Sequence, residues 1–90
     1  MKLISMKQAE QHLARHIKKR SAGETTLYTF KQDRRVTVFC RADGLHIEEA
    51  GYRTQQLLIS DPSLWKRAVK EALKREFPRS RNVYIKETSQ

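Results

Sequence analysis

Cysteine, glycine and proline are all scarce in this chain. A single Cys40 leaves no partner for an intramolecular disulfide and no paired-cysteine zinc motif. The three glycines, Gly23, Gly44 and Gly51, stand apart at turn positions, so there is no glycine-rich phosphate loop and no dinucleotide fingerprint. No apolar run approaches the ~20 residues that span a bilayer. Charged and polar residues resume at Ser5 and Lys7, too early for a signal-peptide core. These absences speak against a nucleotide-dependent or zinc-dependent enzyme. They lead us to expect a cytoplasmic protein with no metal, no cofactor and no membrane partner. Repeats, low-complexity stretches and linkers are also missing, so residues 1–90 are read as one domain. Hydrophobic residues make up only 38%, with three Tyr, three Phe and one Trp, which is low but enough for a small core.

Positive charge is in excess. The chain carries a formal +9, and the excess sits at its two ends. Residues 1–20 hold six cations against Glu10 alone. Residues 61–90 hold eight against four carboxylates, while the middle balances five with five. A uniform excess mainly affects solubility, whereas a segregated one makes a basic surface that attracts polyanions.

The hydrophobic spacing converts those ends into helices. Ser5 and Gln8 stand at capping-box spacing, and Met6, Ala9, Leu13 and Ile17 follow at helical intervals, predicting a helix over about residues 5–20. Thr25–Lys31, Val36–Arg41, Leu45–Glu49 and a segment from Tyr52 to about Ile59 read as strands. Asp43-Gly44 predicts a two-residue hairpin loop pairing Cys40 with Ile47. Ala50-Gly51 predicts the next, pairing Glu48 with Arg53. In these registers Val36, Val38, Cys40, Leu45 and Ile47 share a core face. Thr37, Phe39, Arg41, His46, Glu48, Arg53 and Gln55 share a wet face. Thr54 and Gln56 then fall on the core side while Leu57 and Ile59 do not, which signals a bulge or a wrong register in the fourth strand. Asp61-Pro62 opens a second helix with Leu64, Trp65, Ala68, Val69, Ala72, Leu73 and Phe77 on its apolar side, and Pro78 closes it. Val83–Ile85 reads as a short last strand or a tail packed on the sheet. The fold class expected is α+β: a two-layer domain with a four-stranded antiparallel meander and two helices on one face, in the order α-β-β-β-β-α with a short C-terminal β.

The candidate binding residues are Arg15, Lys18, Lys19 and Arg20 on the first helix, Lys66, Arg67, Lys70 and Lys74 on the second, and Arg79 with Arg81 beyond it. Lys66, Lys70 and Lys74 lie four apart and form one ridge. Such cations touch phosphates and release condensed counterions, or they simply solvate a helix, with Glu71 supporting Arg75 four residues on. Tyr28, Phe30 and Phe39 share the wet sheet face if the first loop is even, where they would offer a stacking surface for bases or cover a secondary core. His12 and His16 point the same way but lack further metal ligands. His12, His16 or His46 as a general base also lacks a second catalytic group. Cys40 reads as a buried small hydrophobe.

The order helix, antiparallel sheet, helix resembles double-stranded-RNA-binding domains in architecture alone. A fourth strand and a second helix without that family's basic cluster at its start depart from it. The function expected is non-catalytic binding of RNA or DNA through the phosphate backbone. The alternatives are an accessory module that docks on an acidic protein or forms a homodimer through its sheet, and a small metal-independent ribonuclease.

Overall fold

The computed structural model describes residues 2–19, 23–29, 31, 34–51, 54–77 and 81–88. Its elements are β1 (Lys2–Ser5), α1 (Met6–Lys19), β2 (Glu24–Tyr28), β3 (Arg35–Arg41), β4 (Gly44–Ala50), β5 (Gln55–Ile59), a 3-10 turn (Pro62–Leu64), α2 (Trp65–Glu76) and β6 (Asn82–Thr88). The six strands form one antiparallel sheet in the order β1-β6-β2-β3-β4-β5.

The α+β class holds, but the sheet has six strands where four were expected. The expected α-β-β-β-β-α order gains a strand before the first helix, and the last strand runs seven residues inside the sheet. This also widens the departure from the double-stranded-RNA-binding architecture. β1 has only four residues and pairs with β6, almost the whole chain away. Such a strand is stabilised by its partner and by burial of Ile4, and four residues carry little periodicity of their own.

α1 begins as its sequence predicts. The Ser5 N–H donates to Gln8 Oε1 at 3.1 Å and the Gln8 N–H donates to Ser5 Oγ at 3.2 Å, a completed capping box. α2 is entered through the 3-10 turn. Asp61 accepts from the Ser63 amide and hydroxyl, which hold its carboxyl below the ordinary range. Trp65 then fixes the helix start to the sheet, because its indole N–H donates to the Ile59 carbonyl at 2.7 Å. Leu64 belongs to the turn and not to the apolar stripe, and it is 49% exposed. Pro78 lies outside the described residues.

Two strand registers differ from expectation. Cys40 pairs with Leu45, not Ile47, and Arg41 with Gly44, so the tight loop is Ala42-Asp43. A shift of two leaves every side chain on its expected face. Gly44 sits at φ +141, and a Cβ there would lie 2.5 Å from the Ile59 carbonyl oxygen, so only glycine fits beside β5. The next register slips by three. Glu48 pairs with Gln56 rather than Arg53, and Ile47 with Leu57. An odd slip exchanges the faces: Leu57 and Ile59 turn to the core, Gln56 turns outward, and Gln55 joins Glu49 on the core side. Magnitude decides between the registers. A cross-strand ion pair contributes about 0.2–1 kcal/mol, whereas fully burying one aliphatic side chain contributes roughly 1.5–3 kcal/mol, and two side chains, Leu57 and Ile59, gain partial burial here.

Both helices cover one face of the sheet. Ala9 and Leu13 from α1 and Trp65, Val69, Ala72 and Leu73 from α2 join Ile4, Leu27, Val36, Val38, Leu45, Ile47, Val83 and Ile85 in one buried cluster. Cys40, Leu57, Ile59 and Ile17 pack at its margin. Arg75 spans the layers. Its guanidinium makes paired bonds of 3.1 and 2.9 Å to the Glu49 carboxylate, whose side chain has no exposed surface. Gln55 also donates to that carboxylate. The expected Glu71–Arg75 pair is therefore absent, and Glu71 accepts instead from Arg67 at 3.3 Å. A carboxylate forced into the core by its register requires a partner more than an exposed one does.

Candidate nucleic-acid interface

Charge divides by layer. The two helices carry nine Lys and Arg against three Glu, a net +6. The six strands carry four cations (Lys2, Arg35, Arg41, Lys86) against four carboxylates (Glu24, Glu48, Glu49, Glu87), a net of zero. Since the helices lie on one side, the domain has a cationic layer backed by a neutral one.

The candidate cations are exposed wherever they are described: Arg15, Lys18 and Lys19 on α1, Lys66, Arg67, Lys70 and Lys74 on α2, and Arg81 at the entry to β6. Arg20 and Arg79 lie outside the described residues. Lys66 and Lys70 stand on one wall of a cleft between the helices, with Val69 and Leu73 below them. Glu10, Ala14 and Ile17 of α1 form the other wall. Lys74 continues the ridge one turn on. Among the described residues none of these three lysines has an ion-pair partner within 4.0 Å, and neither has Lys18 or Arg15. Arg67 is the exception, held to Glu71.

The set does not form one continuous patch. Arg15 and Lys19 are four apart on the flank that carries His12 and His16, and those histidines face the sheet side: His12 meets Glu87 on β6 and His16 meets Thr25 on β2. Arg81 lies at the opposite end of α1, where its carbonyl accepts the Met6 N–H. The ridge is joined instead by Lys18, one turn from Ala14, and by Lys7, which the sequence pattern did not single out. Lys7 and Lys18 are eleven residues apart, three helical turns, so they share the outer crest of α1. That spacing was available in the sequence, but Lys7 has no cationic neighbour to draw attention to it.

The histidines are engaged. Burial lowers the His16 pKa below its ordinary 6.5, opposed by the charge of Glu87. His16 Nδ1 lies 3.1 Å from Thr25 Oγ1, and its buried Nε2 has no partner among the described residues. His46 Nε2 lies 2.8 Å from Asp43 Oδ1, and that hydrogen bond holds Asp43 below the usual carboxylate range. Among the described residues no three His, Cys, Asp or Glu side chains gather as a metal site.

The open sheet face is less available for stacking than its aromatics suggested. Tyr28 and Phe39 do lie on it, and Phe30 is outside the described residues. Phe39 is closed: the His46 ring stacks on it at 4.9 Å with planes 7° apart, and the Arg41 guanidinium covers it at 4.9 Å. Only 8% of Phe39 is exposed. Tyr28 and Tyr84 are cross-strand neighbours and half-buried.

Among the described residues no helix is long and apolar enough to cross a membrane. Compared with protein-family models, curated proteins and solved structures, the chain matches none.

Proposed function

We propose that this protein binds nucleic acid through its phosphate backbone, using the helix layer and no base-reading element. The observation that carries this reading is the +6 helix layer over strands of zero net charge, with the Lys66–Lys70–Lys74 ridge and Lys18 unpaired among the described residues. Lysines act as point charges and backbone contacts carry no sequence information, so affinity is expected to be nearly the same for all sequences. Closure of Phe39 by His46 and Arg41 supports backbone over base contact. We read the role as binding rather than catalysis, because His12, His16 and His46 are each engaged within the fold, with Glu87, Thr25 and Asp43 in turn. RNA incubated with the protein in the absence of added metal should be recovered intact, and cleavage that disappears on substitution of one histidine would replace this reading with a nuclease.

The test is duplex binding measured across a salt series. With roughly five to six phosphate contacts, log affinity should fall with log salt at a slope of about −5. Unrelated sequences should share that slope. An affinity indifferent to salt would remove the backbone reading. Capture of an acidic protein with no measurable duplex or single-strand binding would assign the same cations to a protein partner.

A further inference from the structure

The sheet ends in two edges, β1 and β5, and they differ. β1 is four residues long with Lys2 at its start. β5, Gln55–Ile59, has no charge and no proline, the devices that keep natural edges from pairing with another chain. Among the described residues no strand pairs with its outer side. Each edge strand carries an exposed leucine. Leu58 on β5 is 52% exposed and Leu64 on the following turn 49%. The other large exposed one, Leu3, lies on β1.

We propose that β5 docks a second copy of this chain, the two β5 strands pairing antiparallel about a two-fold axis. An antiparallel strand of the same sequence offers a donor for every outward carbonyl and an acceptor for every outward N–H, and an isologous contact is self-complementary and closed. Charge selects the occupant. An acidic peptide or a nucleic acid finds no cation on β5. Two chains of +9 repel wherever their helix layers face each other, and meet least repulsion at an uncharged strand of a neutral sheet. With the axis perpendicular to the sheet, both copies keep Leu58 on the open face and their helices on the other. The cationic layer is thereby doubled in length on one side. The pairing stands or falls independently of the nucleic-acid reading.

Sedimentation equilibrium of the full chain over a concentration series tests it. The wild type should approach twice the mass of one chain. Leu58→Lys sets two like charges near the axis and should weaken the dimer about 10-fold or more, while Leu3→Lys on the far edge leaves it unchanged. A single-chain mass at every concentration would overturn the proposal. So would a dimer untouched by Leu58→Lys, or assemblies that grow without limit, the mark of head-to-tail β1–β5 contact. If Leu58→Lys fails to fold, hydrogen exchange of the wild type decides. Outward amides of β5 should gain protection as concentration rises and those of β1 should not; equal protection at all concentrations contradicts the pairing.

Discussion

The helices and the strands of this domain treat charge differently. On α1 and α2 most cations are solvated and unpaired among the described residues, and the layer keeps a net +6. On the strands the four cations and four carboxylates cancel, and Glu49 and Glu87 are tied to Arg75 and His12 of the helices. A protein that needed charge only for solubility would gain nothing from this division. What the contrast teaches is that the Arg75–Glu49 and His12–Glu87 pairs join helix to sheet, while the unpaired cations stay on the helix surface, where the proposed partner would meet them.

Arg75 gives the sharpest test of that division, because it belongs to the cationic helix yet serves the sheet. Arg75→Ala leaves the Glu49 carboxylate buried without its counter-charge and should cost about 3–5 kcal/mol in urea unfolding. Arg67→Ala, which removes an exposed pair, should cost less than about 1 kcal/mol. Equal losses would show that the two pairs are not different in kind. Next in size is Leu73→Ala, on the buried side of the same helix and 3% exposed. It should cost ~2–5 kcal/mol with no change in the salt slope of nucleic-acid binding. An unchanged melting midpoint would mean that α2 does not pack as described.

A smaller effect is expected from pH. His16 titrates below 6.5 in the fold, so the unfolded chain binds its proton more readily. The stability it supports is present above pH 6.5 and is lost as pH falls from there to the lowered folded value. Burial drives that value down, and the charge of Glu87 limits how far it drops. The melting temperature should therefore decline on mild acidification, and His16→Gln should flatten the decline. A wild-type profile flat through this range would show that His16 is solvated.

Much of this was legible in the sequence, and the failures share a cause. Both helices could be located because their signals are local: the Ser5–Gln8 box, the Asp61-Pro62 start and apolar positions three and four apart. Core faces of β3 and β4 were also correct despite a shifted register, since a slip of two conserves parity. β1 was missed because its reason for being a strand lies in β6. The β5 register was missed because a local opposite-charge pair outranked burial of Leu57 and Ile59, although that burial stabilises the sheet more. At the candidate site, the Lys66–Lys70–Lys74 ridge followed from spacing alone. That Arg15 and Lys19 lie on another flank, and that Glu71 holds Arg67, required the positions of the sheet and of Glu49.

The central claim is that partner binding resides in the helix layer and not in net charge. Two variants, each lacking three cations, decide it. One replaces Lys66, Lys70 and Lys74 by Gln, which keeps helix propensity and side-chain length. The other replaces Arg35, Arg41 and Lys86 of the strands by Gln, removing the same charge from the open face. Duplex affinity across a salt series should weaken for the ridge variant on all sequences alike, with the slope flattened by about three units, while the strand variant stays close to wild type. Equal weakening of the two would contradict the account, because only total charge would then matter.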